Sequence, residues 1–121
     1  MKSQEVSNQQ LKKKINTTTL NDVIDKSIFK NSKIDYLSID VEGYELKVLK
    51  GFDLKKFKPK AISVEFIDPA MNKEEFYHQN ITNIINSKVY QHLTNEGYHF
   101  VNLLHSDLIF VSSEIFFNQN N

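Results

Sequence analysis

The sequence predicts an α/β domain in which parallel strands are joined by helical crossovers and closed at one edge by a C-terminal antiparallel hairpin. Three observations carry this. Residues 34–39 (IDYLSI) and 60–67 (KAISVEFI) have strand composition. Helical spacing of apolar residues follows each of them, and parallel neighbours require such a crossover. The last two apolar runs, 98–104 and 108–112, flank a His105-Ser106-Asp107 turn, the pattern of a hairpin.

Taken in order, residues 1–16 read as a polar leader in which Val6, Leu11 and Ile15 form only a weak apolar stripe. Leu20, Val23, Ile24 and Ile28 recur every three or four residues after a threonine run, so a short amphipathic helix is expected there, capped by Thr19 or Asn21. The strand at 34–39 stops at Asp40-Val41-Glu42-Gly43. A helix follows over 44–50, with Glu45 in its first turn, Lys47 and Lys50 toward its end, and Gly51 where a left-handed cap is expected. Residues 60–67 read as a buried parallel strand carrying one internal acid, Glu65. Ile81, Ile84, Ile85, Val89 and Leu93 predict one long helix over 80–95, stopped at Gly97. Residues 17–117 thus form a single unit between the leader and a polar tail at 118–121.

Composition narrows the function. Of the 121 residues, 40% are hydrophobic and 12% aromatic, enough for one modest core. Fifteen basic residues balance fifteen acidic ones, so no net field recruits nucleic acid or an anionic membrane. The absence of cysteine excludes disulfides, thiolate nucleophiles and Cys-based zinc sites. No apolar run approaches a membrane span and the N-terminus has no apolar export segment, so a cytoplasmic location is expected. His78, His92, His99 and His105 have no His-x-x-x-His pair among them, so no metal site is expected.

The run IDYLSIDVEGYELKVLKGF, followed by PKAISVEF, resembles the fourth strand, acidic turn and fifth strand of the FkbM methyltransferases. TTTLNDVID before it, and NEGYHFV and SDLIFVSS after it, stand in that family's usual order, so the resemblance runs over about residues 17–112. It implies the C-terminal half of a Rossmann-like methyltransferase domain that uses S-adenosylmethionine to methylate a hydroxyl on a sugar or other small metabolite. The family places a Gly-containing loop and an acidic ribose partner upstream, and this sequence has only Gly43, Gly51 and Gly97, none paired closely. The expectation is an incomplete domain, working with a complementing N-terminal half or as a homo-oligomer. The competing expectation is a non-catalytic remnant or association module.

Methyl transfer from a sulfonium is an in-line displacement in which protein groups align the partners, and a hydroxyl acceptor also needs a base. Carboxylates at strand ends suit both tasks. Asp40 either meets the cationic end of the cofactor or takes the acceptor's proton. Glu42, beside the flexible Gly43, binds the acceptor, and Glu65, late in the next strand, is the third candidate. Glu45 is expected to serve structure alone.

Overall fold

The computed structural model describes residues 12–67 and 80–118. His78 and most of the predicted leader and tail lie outside the described residues. The elements are α1 (Leu20–Asp25), β1 (Tyr36–Ile39), α2 (Glu45–Lys50), α3 (Leu54–Phe57), β2 (Ala61–Glu65), α4 (Ile81–Asn86), α5 (Lys88–Asn95), β3 (Tyr98–Leu104), β4 (Asp107–Ser112) and α6 (Ser113–Asn118).

The four strands form one mixed sheet in the order β1-β2-β4-β3. β1 and β2 are parallel, while β4 runs antiparallel to both β2 and β3. The expected parallel pair and terminal hairpin are therefore present, and it is the hairpin's second strand that docks on β2. That choice suits burial. β4 carries Leu108 and Phe110, both fully buried, whereas β3 keeps Val101 and Leu104 about half exposed at the outer edge.

Alternation along the strands puts Leu37, Ile39, Ile62, Val64, Leu108 and Phe110 on one face, matched pairwise across the sheet. Leu49 of α2, Ile84 of α4 and Leu93 of α5 join them in a single core. Tyr90 of α5 sits with its ring 6.0 Å from both Phe100 and Phe110. Tyr98 reaches through this layer to donate its hydroxyl to the Pro59 carbonyl at 2.8 Å, and burial pushes its phenol up to about 12. On the opposite face the C-terminal α6 folds back so that Phe116 stacks on His99 with ring centroids 4.3 Å apart.

The helices show why several expectations needed revision. Thr19, not Asn21, caps α1 by accepting from the Asp22 amide; the Asn21 side chain instead accepts from the Asp53 amide at 2.7 Å and ties α1 to the next turn. Gly51 is not left-handed, with φ −88°. A Cβ there would lie 3.4 Å from the Thr19 side chain, ordinary van der Waals contact, so neither the backbone nor the space at this turn requires glycine. The helix expected over 80–95 is two helices broken at Ser87, whose extended backbone (ψ 145°) ends α4 while its hydroxyl accepts from the Tyr90 amide and starts α5. The short α3 went unforeseen. Asp53 caps it by accepting from the Lys55 and Lys56 amides, and Lys58, at φ 44°, ends it just before Pro59.

Candidate functional site

The carboxyl ends of the parallel strands β1 and β2 lie side by side, with Ile39 paired to Val64. Open α/β sheets bind ligands beyond such ends. One residue further along each strand stand Asp40 and Glu65. Since Ile39 and Val64 point into the core, strand alternation turns the acids away from it.

The turn after β1 brings in the third acid. Glu42 and Gly43 are both left-handed, with φ 54° and 97°, and this double reversal folds the chain back before α2 begins. One carboxylate oxygen from each of Asp40, Glu42 and Glu65 then lies within 4.8 Å of the others. Asp40 and Glu42 are exposed and Glu65 is half-buried. All three residues singled out from sequence therefore meet at one place.

Three carboxylates that close cannot all ionise freely. Partial burial pushes Glu65 up to about 7, helped by its hydrogen bond to Asp40 and by the negative charge of Asp40, Glu42 and Glu45. Near neutral pH this group can therefore both hold and release a proton, the property required of an acid–base side chain. Three oxygens at this spacing are also within reach of a single cation. Exposed acids commonly cluster without one, so the geometry assigns no metal.

Two further residues shape the site. Glu45, the first residue of α2, is buried, and its Oε1 accepts from the Val41 amide at 3.2 Å and the Gly43 amide at 3.0 Å. Asp107 opens β4 directly opposite Glu65, and its carboxylate accepts from the buried Ser63 hydroxyl at 3.4 Å. The hairpin turn closes over the same end, where the Phe66 amide donates to the Ser106 carbonyl at 2.7 Å. Asp107 read as a turn residue in the sequence; its pairing opposite Glu65 makes it the first residue of β4.

A groove of about 630 Å³ lies elsewhere, between α1 and α2, lined by Thr17, Thr18, Thr19, Leu20, Val23, Tyr44, Lys47, Val48 and Gly51. None of the three acids borders it. It is an open, mostly apolar trough, and the chemistry points to the strand ends instead.

The described glycines offer no cradle for a nucleotide: Gly43 serves the turn, Gly51 follows α2 with an ordinary backbone, and Gly97, at φ 88°, ends α5. The acids fit the cationic end of a sulfonium cofactor. No helix among the described residues is long and apolar enough to cross a membrane. A family model, the methyltransferase FkbM domain, matches residues 2–100, most of the chain. No curated protein and no solved structure gave a significant match.

Proposed function

The chain belongs to the FkbM methyltransferase family, and we propose on that premise that it takes part in S-adenosylmethionine-dependent O-methylation of a hydroxyl on a sugar or small metabolite, in the cytoplasm. The observation that carries this reading is the convergence of Asp40, Glu42 and Glu65 at the carboxyl ends of two parallel strands. When bound, the cofactor supplies an electrophilic methyl group on a positively charged sulfur. Asp40, exposed at the end of β1, offers a carboxylate to that positive end. Glu42, carried outward by the left-handed turn, accepts hydrogen bonds from the acceptor's hydroxyls. Glu65, poised near neutrality, takes up the proton that the acceptor oxygen gives up as its new bond forms.

The nucleoside is gripped by groups other than these, which we assign to a complementing half of the domain, in the same polypeptide or another. β1 has a partner strand on one side only among the described residues, and its Tyr36-Leu37-Ser38-Ile39 sequence has none of the charges or prolines that discourage edge pairing. That edge also favours a second reading, an association module without catalysis.

Isothermal titration of the chain with S-adenosylmethionine, followed by transfer assays with a methyl-labelled cofactor and a panel of hydroxylated acceptors, tests the first reading. Asp40→Asn is expected to lower kcat/KM for the cofactor by roughly 10-fold to 10²-fold, mostly through weaker cofactor binding, with an unchanged circular dichroism spectrum. An unchanged kcat/KM would remove Asp40 from the chemistry. Absence of both binding and transfer, alone and with a complementing half, would leave the association reading. Size-exclusion chromatography giving a monomer at all concentrations would count against that one.

A further inference from the structure

We infer that Glu45 is a positioning residue: by accepting the Val41 and Gly43 amides it locks the Asp40-Val41-Glu42-Gly43 turn in the geometry that carries the Asp40 and Glu42 carboxylates to Glu65. Its link to turnover rests on the methyl-transfer reading above; its link to the turn does not.

The turn is not one the chain would hold unaided. Glu42 is a side-chain-bearing residue at φ 54°, followed at once by Gly43 at φ 97°. Left-handed backbone disfavours residues with a Cβ, and such positions persist only where neighbouring contacts over-determine them. Glu45 provides that contact. Its single Oε1 receives one amide from before the reversal, Val41, and one from within it, Gly43, so the two ends of the bend are pinned to the same atom.

An ordinary helix-start role does not describe this geometry. A glutamate in a helix's first turn ordinarily complements the dipole or, in a capping box, reaches back to the N-cap amide, here that of Tyr44. Both amides bound by Glu45 precede α2, which begins at Glu45 itself. Only 8% of the residue is exposed, so the bond to the turn is shielded from competing water. Asp40 and Glu42 thus depend on a residue three to five positions downstream.

The test uses the whole chain and needs neither cofactor nor turnover. Amide hydrogen exchange at Val41 and Gly43, referred to core amides such as Ile62 and Val64, reads the clamp directly. A carboxyl-carbon NMR titration of Glu65 reads whether the other acids still face it, namely Asp40 and Glu42 from the turn, residue 45 from α2 and Asp107 from β4. Glu45→Gln keeps an oxygen acceptor at the same reach. It should retain amide protection and lower the Glu65 midpoint only by the share that the charge of residue 45 contributes, the smallest of the causes that raise it. Glu45→Ala removes the acceptor, and exchange at Val41 and Gly43 should rise at least tenfold while the Glu65 midpoint moves down toward that of an ordinary glutamate. Glu45→Asp, too short to reach both amides, should follow the alanine variant and serves in its place if that protein does not fold. Wild-type protection in the alanine or aspartate variant would overturn the inference. So would a glutamine variant as unprotected as alanine, because the negative charge and not the acceptor geometry would then be responsible. Loss of methyl transfer by every protein, wild type included, would strike the functional reading and leave these two measurements standing.

Discussion

Replacing Glu65 by glutamine should stabilise the protein at pH 8 and change it little at pH 4.5. In the folded chain Glu65 is raised from 4.5 to about 7 by partial burial and by the acids beside it, so its protonated form is the one the fold favours. The resulting stabilisation is fully present below the unfolded value, declines as pH rises, and is lost once pH passes the folded value. At roughly 1.4 kcal/mol per pH unit, the upper limit is about 3.5 kcal/mol. Glu65 is half-buried, and solvent screening of its neighbours reduces the expected effect to about 1 to 2 kcal/mol. Glutamine stays neutral throughout and keeps an amide donor for Asp40, so it escapes the penalty that ionisation imposes on the wild type. Urea unfolding of both proteins at the two pH values measures the difference, which should appear at pH 8 as a rise of about 0.5 to 1 M in the midpoint. An equal gain at pH 4.5 and pH 8 would show that Glu65 is not electrostatically strained, and the acid–base role assigned to it would fall with that result.

The two turn glycines should respond differently to alanine. Gly43 has open space around a built Cβ but sits at φ 97°, so Gly43→Ala should cost about 1 to 2 kcal/mol through the backbone alone, and loosen the acidic turn. Gly51 has an ordinary backbone, so Gly51→Ala should stay within about 0.5 kcal/mol in the same unfolding assay, its 3.4 Å approach to Thr19 offsetting the gain in chain stiffness. Tyr98→Phe leaves the Pro59 carbonyl without its buried donor and should cost about 1 to 2 kcal/mol. In the wild type, phenolate absorbance from Tyr98 should emerge only near pH 12, since burial holds the hydroxyl protonated until then.

The positions of the three acids were more legible than several of the fold's details. Asp40, Glu42 and Glu65 sit at ends of strand-like runs, and a residue just beyond the last core-facing position of a parallel strand has few places to go except the cleft. Glu45 read as a helix-start acid because its position in sequence suits the dipole; its true partners, the Val41 and Gly43 amides, are exposed only by the bend that it helps to hold. The break at Ser87 was hidden for a similar reason. The apolar spacing of residues 81–93 continues across it, while the hydroxyl that stops one helix and starts the next competes with the helical backbone locally. Asp53, a strong capping residue, was a readable signal for α3 that the lysine-rich LKKF sequence after it obscured.

Periodicity, turn residues and charge order were sufficient for the strands and helices of an α/β domain and for the terminal hairpin, because each of these depends on neighbours close along the chain; the parallel pairing followed from the helical crossover between two strands, and it was the family resemblance that singled out Asp40 and Glu42. Tertiary packing alone decided that β4 and not β3 lies against β2, that α6 returns to cover His99, and that three carboxylates converge closely enough to push one of them toward neutrality. Those outcomes rest on which surfaces bury together and how near charges come across the sheet, distances that the spacing of residues along a chain does not contain.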